Sequence, residues 1–243
     1  MNTVNPVDRK RLTSWYSLYM SKADRMKVST SIEDYLKAIW LIAKDASAST
    51  NALAEQLNVA APSVSSMLGK LQDLGFVEHE PYHGVRLTPS GSRRALRLLR
   101  GHRLIETFLL EHLGYTWAEV HEEAERLEHA VSERFTERLA DLLGHPTHDP
   151  HGDPIPGPAG DFPNTPNTPL AELEVGQILE VSRLMTQAPD VLTYIAQLGI
   201  HPGQRIQVRK TEPIGGLIHV YFDNRKEILS KELAMLIRGQ VGS

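Results

Sequence analysis

Three short apolar-striped segments followed by two alternating runs, all between Ser31 and Leu87, constrain the fold of this chain more than any other feature. Ser31-Ile32-Glu33-Asp34 opens the first segment. Ser31 or Thr30 can cap it, acidic residues fill its first turn, and Tyr35, Leu36, Ile39, Trp40 and Ile42 make an apolar face. Thr50–Leu57 predicts a second helix with Leu53, Ala54 and Leu57 inward, and Asn58-Val59-Ala60-Ala61 predicts a turn. Pro62 suits the first position of a third helix that reaches about Leu74, with Val64, Met67, Leu68, Leu71 and Leu74 inward. Gly75 ends it, Phe76–Glu80 alternates, Pro81-Tyr82-His83-Gly84 turns, and Val85-Arg86-Leu87 returns. Helix, helix-turn-helix and hairpin, in that order, make a winged helix whose wing is the hairpin.

Thr88-Pro89-Ser90 then starts a long helix through about Leu113, and Trp117–Leu143 reads as a second helix with its continuation. Their Leu, Ile and Phe stripes exceed what one small domain needs and suit a dimer interface. From Gly144 to Pro169 there are eight prolines in 26 residues, the composition of a linker. Beyond it, Gly176–Val181, Gln204–Val208 and Leu217–Phe222 alternate as strands, with a helix over Val191–Leu198. The expected architecture is mainly α with small β elements. A basic extension covers 1–30, a winged helix-turn-helix domain 31–98, a helical domain 99–145, a linker 146–169 and a small β domain 170–243.

Charge is distributed unevenly along this order. Residues 1–103 carry 15 Lys and Arg against 9 Asp and Glu, whereas residues 104–150 carry 3 against 11. A basic front followed by an acidic segment fits phosphate binding by one part and cation binding by the next. The chain has no Cys, which excludes disulfides, thiolate metal sites and cysteine nucleophiles. No apolar run approaches the roughly 20 residues of a membrane span, and LTSWYSLYM behind the basic Arg9–Arg11 is too polar for a signal sequence. A cytoplasmic protein without a membrane partner is expected.

Two groups of residues carry candidate chemistry. On the third helix, Pro62, Ser63, Ser65 and Ser66 lie at the exposed N-terminal turn with Lys70 one turn on, where hydroxyls and the positive helix end can meet phosphates or base edges of duplex DNA. Arg86 on the wing, and Lys44, are candidates for backbone contact. The alternative is an ordinary capped helix with solvated serines. The run Arg93, Arg94, Arg97, Arg100 and Arg103 reads as a solvated face that adds only background field. In W-A-E-V-H-E-E-A-E-R-L-E-H, His121, Glu125, Glu128 and His129 fall at spacings of four, three and one, while His102 and Glu106 make a second helical pair. Such donors suit a divalent ion such as manganese, iron(II), cobalt, zinc or nickel; the alternative is a charged face balanced by Arg126. His121-Glu122-x-x-Glu125 narrowly misses the zinc-protease H-E-x-x-H, lacking the second imidazole, and no G-x-S-x-G or P-loop accompanies it, so an enzyme is a poor reading.

Together S-I-E-D-Y-L-K-A-I-W, the helix-turn-helix, G-H-R-L-I-E, the ligand-rich stretch and H-G-D-P-I-P-G-P resemble the diphtheria toxin repressor family of metal-dependent regulators, over about Ser31 to Pro158 and more weakly beyond. The resemblance implies an SH3-like, FeoA-type C-terminal domain. It also implies a homodimer that binds palindromic operator DNA when a divalent metal is present, with no small organic substrate. By position it assigns Asp34, Glu125, Glu128 and His129 to a primary metal site, and His102, Glu106 and His121 to an ancillary one. Iron-type members have Cys at the Glu125 position and Met at the Asp34 position, so the carboxylates here are the manganese-type pattern. Mn2+ is therefore expected first and Fe2+ second, with Co2+, Zn2+, Ni2+ or Cd2+ as substitutes. Manganese-type members also place a Glu where this chain has Lys37, whose ammonium cannot ligate; two separated sites are expected instead of a binuclear pair. Ala188 and Val191 stand where family SH3-like domains can donate a Glu and a Gln, and Ser66 stands where iron-type members have a Gln. The first 30 residues have no counterpart, and read as an arm on DNA or as a start set ahead of Met20 or Met26. A winged-helix regulator of a non-metal ligand, a metalloenzyme and a scaffold dimer that does not bind DNA are the alternatives.

Overall fold

The computed structural model describes residues 28–43, 46–80 and 83–242. The expected N-terminal extension, Lys44 and the Pro81-Tyr82 tip of the wing fall largely or wholly outside these residues. The chain divides into two compact units, 1–98 and 99–243.

In the first unit α1 (Thr30–Ala43), α2 (Thr50–Gln56) and α3 (Ala61–Asp73) bury Leu36, Ile39, Leu53, Val64, Leu68 and Leu71 in one core. Local chemistry sets each boundary. The Ser49 hydroxyl accepts the Ala52 amide at 3.1 Å and caps α2. Gly75, at φ 73°, ends α3 while the Gly75 and Phe76 amides return to Gln72 and Leu71 carbonyls. The antiparallel hairpin β1 (Val77–Glu80) and β2 (Gly84–Leu87) follows, with Val85 and Ala48 exchanging both backbone hydrogen bonds at its side. The helix α4 (Pro89–Leu113) spans the boundary between the units.

The second unit begins with the remainder of α4, α5 (Val120–Leu127) and α6 (Glu133–Leu142), packed through Leu104, Ile105, Leu109, Val120, Ala124 and Leu139. The expected continuous run from Trp117 to Leu143 is broken. Ser132 is extended at φ −89°, ψ 156° and accepts the Phe135 amide, so it caps a new helix. Glu128 and His129 consequently sit in the turn that leaves α5 rather than on a helical face.

The SH3-like part is a six-stranded antiparallel sheet in the order β3 (Thr168–Pro169), β8 (Ile237–Gly242), β4 (Ile178–Leu184), β5 (Arg205–Thr211), β6 (Ile218–Phe222), β7 (Arg225–Leu229). A single turn at Leu170–Glu172, helix α7 (Pro189–Gln197) and helix α8 (Lys231–Leu236) complete it. Alternate residues of β6, Ile218, Val220 and Phe222, point into the core with Leu179, Ile206 and Leu192. Asp223 and Asn224, at φ 47° and 59°, supply the two left-handed residues that close the β6–β7 hairpin tightly.

The proline-rich stretch is packed. Arg100 bonds the Pro156 carbonyl at 2.9 Å and Glu137 at 3.1 Å, and Arg103 bonds the Pro154 carbonyl. These two members of the arginine run are buried and hold the stretch, instead of forming a solvated face. Gly152, at φ 86°, lies so close to the Ser182 carbonyl of β4 that a Cβ would overlap it.

Two glycine substitutions should move stability in opposite directions. Gly152→Ala combines a strained left-handed residue, about 1 kcal/mol or more, with that overlap, and should lower the thermal midpoint. Gly69→Ala, at an exposed mid-helix position of α3 with open space around it, should stabilise by about 0.5–1 kcal/mol. Thermal unfolding of both variants checks the pair.

Candidate metal centre and nucleic-acid surface

His102 and Glu106 are one turn apart on α4 and both are buried, at 4% and 1% exposure. Helical spacing puts them side by side, and the short α5 brings His121 and Glu125 against them. The His102 ring lies between carboxylates. Nδ1 is 2.6 Å from Glu128 Oε2 and 3.7 Å from Glu125 Oε1, while Nε2 is 2.9 Å from Glu106 Oε1. His121 Nδ1 is 3.1 Å from both His102 Nε2 and Glu106 Oε1. His129 Nε2 stands 3.4 Å from Glu128 Oε1.

An imidazole facing carboxylate oxygens through both nitrogens satisfies both only when both nitrogens carry protons. Without such a cation, buried Glu106 and Glu128 would each suffer a desolvation penalty of several kcal/mol. Burial pushes the Glu106 carboxyl up, but the His102 charge and hydrogen bonds from His102 and His121, with help from His151, outweigh it and hold Glu106 well below the usual range. These carboxylates are therefore committed to a cation, whether a protonated ring or a metal.

Of the seven sequence-derived metal candidates, six lie in the second unit. The structure brings together His102, Glu106 and His121 as one trio and His102, Glu125 and Glu128 as another, each with donor atoms within 4.8 Å of one another. His102 thus joins Glu125 and Glu128, residues that the sequence resemblance assigned to a different site from its own. Asp34 is on α1, in the first unit.

A third trio, Glu106, Asp149 and His151, was not anticipated. Two of its donors, Asp149 and His151, come from a proline-rich stretch whose composition suggested a connection rather than a site. The readable signal was four His and Asp residues within His148–Asp153. Glu106 Oε2, Asp149 Oδ2 and His151 Nδ1 are all buried without a hydrogen-bond partner among the described residues. His151 Nε2 lies 3.1 Å from the Trp117 carbonyl, which can only accept, so Nε2 carries a proton and Nδ1 is the ring nitrogen left without a hydrogen bond. Burial, then the charges of Asp153 and Glu106, push the Asp149 carboxyl well above its ordinary value. Orphaned buried acceptors on three residues of nitrogen and oxygen type fit a hard or borderline divalent cation.

On the first unit Val64, Leu68 and Leu71 of α3 face the core and Pro62, Ser63, Ser65, Ser66 and Lys70 are exposed. Pro62, Ser63, Ser66 and Lys70 line one shallow depression with Met67. Ser65 is outside it, and its hydroxyl donates to the Ala61 carbonyl at 3.2 Å. Arg86 is exposed on the wing, opposite Glu78 in the hairpin register.

Comparison with known proteins follows the same division. Residues 27–85 match the family described as iron dependent repressor, N-terminal DNA binding domain, and residues 88–157 match iron dependent repressor, metal binding and dimerisation domain. Residues 168–241 match the FeoA domain. The chain is 31% identical over 219 residues to the iron-dependent repressor IdeR of Mycobacterium leprae, covering 85% of this chain and 95% of that protein. It is 36% identical over 114 residues to the HTH-type transcriptional regulator MntR of Lysinibacillus sphaericus, 46% of this chain and 81% of that one. A solved manganese-dependent transcriptional repressor in complex with manganese superimposes with a TM-score of 0.78 at 41% identity, over 86% of this chain and 99% of the other.

Replacing His102 should expose the electrostatic debt of the centre. His102→Ala leaves Glu106 and Glu128 buried around a cavity, and breaking such a buried pair costs about 3–5 kcal/mol. Denaturant unfolding without metal should show a loss of that order, and added Mn2+ should recover part of it.

Proposed function

This chain belongs to the iron-dependent repressor family, and we propose that it is a cytoplasmic homodimeric transcriptional regulator which binds palindromic operator DNA when a divalent cation, Mn2+ before Fe2+, is present. Its relatives are repressors and transcriptional regulators, not enzymes. Among the described residues no helix is long and apolar enough to cross a membrane.

The observation that carries the metal dependence is the set of buried carboxylates around His102. Glu106, Glu125, Glu128, Asp149, His102, His121, His129 and His151 supply only oxygen and nitrogen donors, and the chain has no Cys to draw softer ions. When bound, the cation supplies positive charge among the carboxylates that the His102 ring contacts. The sequence resemblance adds Asp34 of the first unit to the donors. A cation that draws donors from both units stabilises, by linkage, those arrangements in which all donors can reach it, and the DNA-competent state is read as one of them. Regulation of manganese or iron homeostasis genes, by repression, is the function that the relatives' names support.

On the DNA side, Pro62, Ser63, Ser66 and Lys70 are read as the major-groove surface, with Ser65 and Arg86 toward phosphates. Pro62 offers apolar contact and Lys70 a point charge or a guanine contact. The alternative in which the winged helix senses a non-metal ligand predicts indifference to chelators.

Fluorescence anisotropy with a labelled duplex from the protein's own promoter region tests the reading. Chelator should abolish specific binding and Mn2+ should restore it. Glu128→Gln should weaken the metal-restored affinity at least about tenfold, roughly 1.4 kcal/mol. Equal binding with and without metal in the wild type would overturn the reading. In the same assay Lys70→Ala should weaken binding and, if Lys70 meets a phosphate, reduce the salt slope by about one.

A further inference from the structure

The Asp149–Asp153 loop carries two donors of the third trio, yet its firmest attachments are to the SH3-like sheet. The Leu184 amide of β4 donates to the His151 carbonyl at 2.8 Å. Gly152 sits against the Ser182 carbonyl with no room for a side chain. Asp153 forms an ion pair with Arg183 of β4, and its Oδ2 receives a 3.4 Å bond from Gln187 Nε2. On the opposite side Arg103 of α4 donates to the Pro154 carbonyl, with Nε 3.7 Å from Asp149 Oδ2 and Nη2 3.9 Å from Asp153 Oδ1.

Asp149 uses its two carboxylate oxygens differently. Oδ1 accepts the amides of His151 and Asp153, each at 2.9 Å, and so shapes the loop, while Oδ2 is left without a hydrogen bond. His151 is likewise divided between an Nε2 that holds the Trp117 carbonyl and an Nδ1 without a hydrogen-bond partner among the described residues. Both donors are presented by a loop whose shape is self-made but whose position is set from outside. Asp153 is the residue through which that position is set. It is not among the three grouped donors, and it is engaged by guanidinium groups from two elements.

We infer that Asp153, clamped between Arg183 and Arg103, is a positioning residue that places the Asp149 and His151 donors against Glu106 and ties this cation site to strand β4. The inference rests on the reading of that trio as a cation site. Arg183 is the informative member of the clamp because its two possible roles have opposite signs. As a nearby positive charge, Arg183 opposes cation binding, and its removal would tighten binding. As a clamp it holds the donors in place, and its removal loosens binding.

The full chain is titrated with Mn2+, and the step lost in His151→Gln and Asp149→Asn is assigned to this trio. Arg183→Gln should weaken that step by about tenfold or more, the usual size of an effect from a residue that orients ligands, and leave the other step unchanged. Arg183→Lys keeps the charge without the planar fork and should weaken it less. Hydrogen exchange at the Leu184 amide should slow when Mn2+ binds the wild type, and this slowing should shrink in Arg183→Gln; a purely structural role would not make it depend on the metal. If Arg183→Gln fails to fold, Arg183→Lys carries the same test. Unchanged or tighter binding, or an undiminished slowing at Leu184, overturns the clamp. If His151→Gln and Asp149→Asn lose no step, the trio is not a cation site and the clamp falls with it. If they lose a step that Arg183→Gln retains at full affinity, the clamp alone is wrong.

Discussion

The His102 imidazole, wedged between Glu106 and Glu128, is the contact on which the second unit depends. Carboxylates with almost no exposure can remain ionised only beside a compensating charge, and here a single ring meets one at each nitrogen. The packing around it is ordinary: Leu104, Ile105 and Leu109 of α4 meet Val120 and Ala124 of α5. That packing brings the carboxylates close, and the ring makes their closeness tolerable. A divalent cation carries twice the charge into the same surroundings. A cation placed there would meet the same carboxylate oxygens that the ring now contacts.

The SH3-like part is attached to this centre by hydrogen bonds and ion pairs together with the packing of Trp117. Trp117, from the loop before α5, packs on the core of the sheet while its carbonyl holds His151. Arg103 and Arg183 reach Asp153 from the two sides. These contacts converge on five residues of a loop with little apolar surface of its own. Attachments of this kind depend on geometry and charge, which is why an ion bound at the loop can be felt by the strand next to it.

The first unit was legible because its signals are local. Ser49, Pro62 and Gly75 act within one turn of where they stand, and the apolar faces of α1 and α3 follow the helical period. The ligand pairs His102–Glu106 and His121–Glu125 were legible for the same reason. The Ser132 cap was also present in the sequence, but an acidic, regularly spaced run masks a break that only a change in chain direction requires. β7, β8 and α8 were not foreseen. Arg225–Leu229 is largely charged, and it becomes a strand because the Asp223-Asn224 turn folds it back on β6. Asp149 and His151 were missed because their partner, Glu106, lies more than 40 positions earlier in the chain. Nothing in their neighbourhood reports that contact; prolines that usually mark a connection here stiffen a segment pinned by two buried arginines.

The three trios are not independent, because they share residues. His102 belongs to two of them and Glu106 to two. The trio of His102, Glu106 and His121 draws one donor from each neighbour, so a cation there competes with cations on both sides. The outer trios, His102 with Glu125 and Glu128 and Glu106 with Asp149 and His151, have no residue in common. Among these three trios, two can therefore be filled at once only if the middle one is left empty. In that arrangement His102 turns its Nδ1 side to one ion and Glu106 its unpartnered oxygen to the other, while the 2.9 Å contact between them can persist. That remaining contact is the shortest physical path by which either position can sense whether the other is filled. It also joins the helix turn that ends in Glu128 to the loop held by the SH3-like sheet.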